Sequence, residues 1–243
     1  MDFVFHHGGG QGGWIWEETI AAMEVQQPGA HRYLPLNVPG CGDKRGRDTS
    51  SISFPEIIAE LTDDILAAGM RDVMLVGHSQ AGTTMPHMVA HRPDLFSRLV
   101  YLSCIAAEPG GTMSQTVIKI HADRQTEFHG MLGNPDIPPL HQAELMFCND
   151  MSDDLREAFL SKLMKDSWPE SSMTHSEWPY DHLEQTPSSY VICLQDKILP
   201  PDAQETFATR FRADRLVRID AGHQAQNTRP YGLAEILLAE IAG

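Results

Sequence analysis

The chain has 243 residues, 42% hydrophobic and 21% charged, with a formal net charge of −15 at pH 7. That length suits one α/β domain with an insertion, or two small domains at most, and can bury a core without staples. The acidic surplus argues against nucleic acid and anionic membranes, whose phosphates need Lys and Arg, and no apolar run approaches the ~18 residues of a membrane span.

Cys41, Cys104, Cys148 and Cys193 form no C-x-x-C pair. Cys104 and Cys193 fall in apolar runs and read as small buried hydrophobes, so a reduced, cytoplasmic compartment is the simplest expectation. The opening residues, Met1 to His6, hold no basic stretch and no long apolar segment, and no secretory leader is expected.

Phe3 to Phe5 predicts a short buried strand. It runs into His6-His7-Gly8-Gly9-Gly10-Gln11-Gly12-Gly13-Trp14, with five glycines in six positions. Bare backbone at that density suits N–H groups aimed at a developing negative charge. A phosphate loop is the rival, but the Gly-Lys-Ser/Thr ending is missing. Adjacent His6 and His7 would point to opposite faces of a strand, which disfavours a shared metal. Trp14 to Val25 predicts a helix ended by Pro28-Gly29, and Tyr33 to Val38 the next strand. A polar loop from Pro39 to Thr49 precedes a helix opened by Ser53, Pro55 and Glu56, a capping box with proline in the first turn. Ile57, Ile58, Leu61, Ile65 and Leu66 form its apolar face, and Gly69 stops it.

Val73-Met74-Leu75-Val76 then predicts a buried strand that meets Gly77-His78-Ser79-Gln80-Ala81-Gly82. A helix is expected from Thr83 to His91. A strand turning sharply into a helix with serine at the apex is a nucleophile elbow, and small residues at 77 and 81 suit its close approaches. Arg98 to Cys104 predicts another strand. This β, α, β, α, β, α, β order implies a mostly parallel sheet with helices on both faces, and sites at the carboxyl ends of its strands.

From about Ala107 to Pro187 the rhythm breaks into a Met-, His- and Pro-rich stretch with no clear strand. It reads as a helical cap over the strand ends, with helices at Gln142–Phe147 and Asp153–Lys165. The expected organisation is a core of residues 1–106 and 188–243 with a cap of 107–187. Apolar candidates in the cap are Phe128, Met131, Leu132, Leu145, Met146, Phe147, Trp168 and Trp178. His121, His129, His141, His175 and His182 lack metal-ligand spacing, so no metal is assigned. The alternation then resumes with strands at Tyr190–Leu194 and Leu216–Ile219, and helices at Asp202–Arg210 and Arg229–Ile241.

Three strand ends thus offer Ser79, Asp196 and His223, in that chain order. A serine hydroxyl needs a base, which His223 can supply, and the imidazolium needs the compensation Asp196 can supply. The oxyanion donors expected are the backbone N–H groups of Gly9 and Gln80. His78 is the weaker base candidate. The rival acid position ends in Ser103-Cys104, with Glu108 further on, and Asp220 lies too close to His223 to pair easily.

These motifs, with Asp196-Lys197-Ile198-Leu199-Pro200 and Ala221-Gly222-His223, resemble the α/β-hydrolase superfamily over the whole chain. Within it they look like the plant methylesterase and hydroxynitrile lyase group and its bacterial esterase relatives. Methylesterases of that group show His-Gly-Ala-x-His-Gly-Gly-Trp at the first motif; here Gln11 replaces the second histidine. The elbow has Gln80-Ala81 where the group often has Leu-Gly or Cys-Gly. The resemblance implies that lyases place lysine after the catalytic histidine and threonine after the first-motif histidine. Those positions are Gln224 and Gly8, so cyanohydrin cleavage is not expected. Dehalogenases put aspartate where Ser79 stands.

The expectation is a serine hydrolase that cleaves a carboxylic ester, a methyl ester or lactone included, of a small apolar or aromatic molecule. Gly8, Trp14, Phe128, Met146, Trp168 and Trp178 are the substrate-binding candidates. No cofactor, nucleic acid or membrane partner is expected, and a homodimer is left open. A ligand receptor with little turnover, a C–C bond hydrolase and a metal-dependent hydrolase are the alternatives.

Overall fold

Six parallel strands form one sheet in the computed structural model, which describes residues 1–131, 134–163 and 165–242. The strands are β1 (Asp2–His6), β2 (Arg32–Pro35), β3 (Val73–His78), β4 (Phe96–Leu102), β5 (Ser188–Cys193) and β6 (Arg215–Ile219), in the order β2-β1-β3-β4-β5-β6. Every residue of β3 is buried, as expected for a central parallel strand covered on both faces. Side chains alternate across the sheet. Phe3, Phe5, Met74, Val76, Val100, Leu102 and Val191 pack on one side with α1 (Glu17–Gln26) and α10 (Pro230–Ala239). Val4, Leu75, Leu99, Tyr101, Tyr190 and Ile192 face the other, with α2 (Phe54–Ala67), α3 (Met85–His91) and α8 (Pro201–Arg210). Each such side chain contributes about 1.5–3 kcal/mol over exposure.

Local signals place the helices. The Ser53 N–H donates to Glu56 Oε2 at 2.8 Å and opens α2. The expected 14–25 helix divides into a 3-10 turn at Gly13–Trp16 followed by α1. After the elbow a 3-10 turn, Ser79–Thr83, precedes α3. The expected 229–241 helix divides too. A short α9 (Ala225–Thr228) comes first, and Pro230, which has no N–H to continue it, starts α10 afresh.

Between residues 107 and 187 the described residues contain no strand. They contain α4 (Met113–Arg124), α5 (Pro139–Phe147), α6 (Asp153–Lys162) and α7 (Glu170–Thr174). Helix α4 was not among the expected elements, although Thr112 and Gln115 form a reciprocal capping box at its start. Leu132 and residue 164, the latter inside the expected 153–165 helix, lie outside the described residues. An aromatic box docks the end of this insert on α2 and α3. His175 stacks on Phe54 at 3.9 Å, His87 meets Phe54 edge-on at 4.9 Å, and Trp178 stands 4.8 Å from His175. The Tyr180 hydroxyl donates to Ala107 O at 2.9 Å. All four cysteines are free and buried.

Burial pushes several histidines below their ordinary value: His6 and His78 well below it, and His7 and His87 to about 4. The unfolded chain takes up these protons near pH 6.5, before the folded chain does. The stability they contribute is therefore present above pH 6.5 and lost as pH falls toward 4. His7 alone is expected to cost about 2 kcal/mol at pH 5. Melting temperatures measured from pH 7 to pH 5 should fall steadily; a flat profile would contradict the buried neutral state of these rings.

Candidate active site

Ser79 leaves β3 at φ +54°, in the left-handed region that costs a non-glycine residue roughly 1–2 kcal/mol. Its surroundings hold it there. The Ile105 N–H donates to Ser79 O at 3.0 Å. A Cβ on Gly77 would run into Met85 Sδ, and one on Gly82 into the Ile105 carbonyl. The Ala81 Cβ would stand 3.1 Å from that Gly77 Cβ, so a larger residue at 81 would close the same gap.

The turn brings Ser79 Oγ to 2.9 Å from His223 Nε2. His223 Nδ1 lies 2.6 Å from Asp196 Oδ2. A carboxylate accepts, so Nδ1 carries the proton and Nε2 is left to accept from the serine. Asp196 is saturated. Its Oδ1 accepts from the N–H groups of Ile198 and Leu199, each at 2.9 Å, and Oδ2 accepts a further bond from Ser103 Oγ at 2.6 Å. Ser103 has φ +40°, a second strained residue at a strand end. Sequence reasoning met Ser103 only as the end of the rival acid strand; nothing local signals its bond to a carboxylate 93 positions away.

The loop carrying His223 is fixed from two sides. The Gly222 N–H donates to Asp150 Oδ2 at 2.8 Å, and His78 Nε2 donates to the His223 carbonyl at 2.9 Å. His78 thus faces the backbone of His223 rather than the serine. Asp220 Oδ1 accepts from Gln195 Nε2 at 2.6 Å, away from the imidazole.

The glycine loop runs beside the elbow. A Cβ on Gly8 would be 3.0 Å from Ser79 Cβ. The Gly8 carbonyl accepts from His7 Nδ1 at 2.8 Å and Trp168 Nε1 at 3.2 Å. His7 Nε2 accepts from the Val38 N–H at 3.2 Å, and His6 Nε2 donates to Thr84 Oγ1 at 2.7 Å. Both rings are spent on structure. Among the described residues no cluster of three or more His, Cys, Asp or Glu side chains could hold a metal.

Ser79 and His223 open into a cavity of about 570 Å³. The core contributes Gly9, Gln11, Gln80, Ile198 and Leu199; the insert contributes Met113, Val117, Met146, Phe147, Trp168 and Met173. Of the expected binding residues, Met146 and Trp168 therefore line it. The other four do not. Phe128 is buried against His121 at 5.3 Å, and Trp178 belongs to the aromatic box and donates to Gly111 O at 2.7 Å. Trp14 donates to Asp166 Oδ2 at 3.1 Å with its ring 5.8 Å from Phe159, and Gly8 sits behind the wall. Aromatic size foretells burial; it says nothing about which side of the insert a ring faces. Met113 and Met173, which do line the cavity, carry no sequence signal that separates them from core methionines.

Asp166, at the cavity edge, was not foreseen. Arg45 grips it through Nε and Nη2 at 2.8 and 3.0 Å, and the Gly42 N–H adds a bond at 2.9 Å. Burial pushes the Asp166 carboxyl up, but the bonds from Arg45, Trp14 and Gly42 outweigh it and hold it below its ordinary value.

The Alpha/beta hydrolase family matches residues 3–236. Polyneuridine aldehyde esterase of Rauvolfia serpentina is 23% identical over 97% of this chain and 94% of its own length. Methylesterase 10 of Arabidopsis thaliana is also 23% identical, over 99% and 91% respectively. Among solved structures, an extracellular alpha/beta-hydrolase from a Paenibacillus species superposes with a TM-score of 0.78 at 19% identity, covering 98% of both chains. The chain belongs to the alpha/beta hydrolase family.

Proposed function

We propose that this alpha/beta hydrolase is a serine esterase that cleaves carboxylic esters of small, neutral, largely apolar molecules through an acyl-enzyme on Ser79. Two relatives that match along its length are named as esterases. The observation that carries the reading is the unbroken line of hydrogen bonds from Ser79 through His223 to Asp196, open to the cavity at the serine end.

In this reading His223 Nε2 takes the hydroxyl proton as Ser79 Oγ attacks the ester carbonyl. Negative charge moves to the carbonyl oxygen, between the N–H groups of Gly9 and Gln80. Gln80 lies in the first turn of the 3-10 segment, where N–H groups have no partner within the helix. His223 returns the proton to the departing alcohol. It then deprotonates a water that breaks the acyl-enzyme, releasing the acid and restoring Ser79 Oγ–H. Asp196, held by its other donors, compensates the imidazolium without taking the proton. Residues 107–187 act as a cap that shapes the pocket and keeps bulk water out.

The wall favours neutral substrates. Among the described residues lining it there is no Lys or Arg, and its one carboxylate, Asp166, is already bound by Arg45. Two carboxamides lie near the serine. Among the described residues, buried Gln11 has no partner for its Oε1, and Gln80 Nε2 bonds the Met173 sulfur at 3.4 Å. A substrate carboxylate would lose its hydration here without gaining a cation.

Ser79→Ala is expected to lower turnover of p-nitrophenyl butyrate at least about 10³-fold; retained turnover in steady-state assays would sink the assignment. Ser103→Ala should lower kcat about fivefold to tenfold with KM unchanged, because Asp196 loses one of its charge-assisted bonds. In a paired assay, the neutral butyrate should exceed mono-p-nitrophenyl succinate in kcat/KM by about 100-fold or more. Equal rates for the two would refute the neutral-substrate reading.

A further inference from the structure

The peptide joining Gly8 to Gly9 has glycine on both sides, so no Cβ opposes its turning over. Its carbonyl nevertheless receives two N–H donors, from His7 and Trp168. In a trans peptide the N–H points opposite to the C=O. Fixing the Gly8 carbonyl therefore fixes the direction of the Gly9 N–H.

We propose that Trp168 is a positioning residue of the oxyanion hole: by binding the Gly8 carbonyl it holds the Gly9 N–H toward the charge that develops at Ser79. The inference rests on the serine esterase reading above. A turned-over peptide would present a carbonyl dipole to that charge instead of a donor. The stake is that of one oxyanion-hole donor, about 10²–10³ in kcat.

The two donors come from different parts of the chain. His7 is local: the Val38 N–H occupies its Nε2, which leaves its proton on Nδ1, aimed at Gly8 O. Trp168 arrives from the insert and is itself held firmly. Its ring lies parallel to His6, 1° off plane at 5.5 Å. The preceding residue, Ser167, donates its N–H to Gly40 O at 3.4 Å, and Asp166 before that is gripped by Arg45, Gly42 and Trp14. Three consecutive residues thus form a strap across the glycine-rich loops of the core, and its last member reaches the peptide that matters. Seating the insert and completing the oxyanion hole are one event.

The test replaces Trp168 by 3-(3-benzothienyl)alanine, which keeps the ring shape and exchanges N–H for sulfur. Arg45→Met loosens the strap from its other end. With p-nitrophenyl butyrate, both proteins are expected to lose about fivefold or more in kcat while KM holds within about twofold. An alkyl trifluoromethyl ketone, whose adduct with serine carries the oxyanion, should weaken by the same factor as kcat. A structural role alone would lower the melting temperature or raise KM without this parallel. Wild-type kcat and ketone affinity in the benzothienyl protein would overturn the proposal. Ser79→Ala in the same assays separates the two readings. Retained turnover there overturns both, whereas lost turnover with a wild-type benzothienyl protein overturns the strap alone.

Discussion

One residue in the left-handed region, Ser79, sets the conditions that its neighbours meet. A turn that sharp brings α3 and the chain after β4 onto the end of β3, which is why positions 77 and 82 tolerate no Cβ and 81 only a methyl. The strain of roughly 1–2 kcal/mol is small against the fully buried strand that precedes it. The parallel sheet does the rest. With all six strands running the same way, the loops after β1, β3, β4, β5 and β6 open at one end, and the glycine loop, Ser79, Ser103, Asp196 and His223 meet there. His78 then ties the elbow to the His223 loop directly.

The polar framework around the site is built from neutral and compensated groups. His6, His7 and His78 are buried and held below their ordinary values, so each acts as a fixed hydrogen-bonding group rather than as a charge. Asp166 keeps its charge because Arg45 lies against it. His7 and His78 orient backbone, His6 holds the Thr84 hydroxyl, and the ion pair fastens the insert. Among the described residues, the imidazole bonded to the serine is that of His223.

Local signatures made the core legible. The elbow, the glycine loop and the two late strand ends are short motifs whose chemistry depends on neighbouring residues, and the apolar runs between them announced the sheet. Boundaries shifted where proline intervened, as at Pro230, or where a helix began as a 3-10 turn, as at Gly13 and Ser79. The insert resisted reading for a physical reason. Its helices carry apolar residues on more than one side, and the partner of each is chosen by docking. Trp14, Trp168 and Trp178 are indistinguishable as residue types, yet one clamps Asp166, one reaches Gly8 and lines the cavity, and one closes an aromatic box. Ser103 was hidden likewise, since its role exists only across the sheet.

The uncharged wall of the cavity bears on turnover as well as on selection. Ester cleavage at neutral pH converts a neutral occupant into an anion. The anion finds no Lys or Arg among the described residues of the wall, only amides and hydroxyls that bond it weakly, and a chain whose net charge is −15. A site that draws a neutral ester in would be a poor host for what the ester becomes. Each catalytic cycle would thus create its own driving force for clearance, and accumulated acid would compete little with fresh substrate.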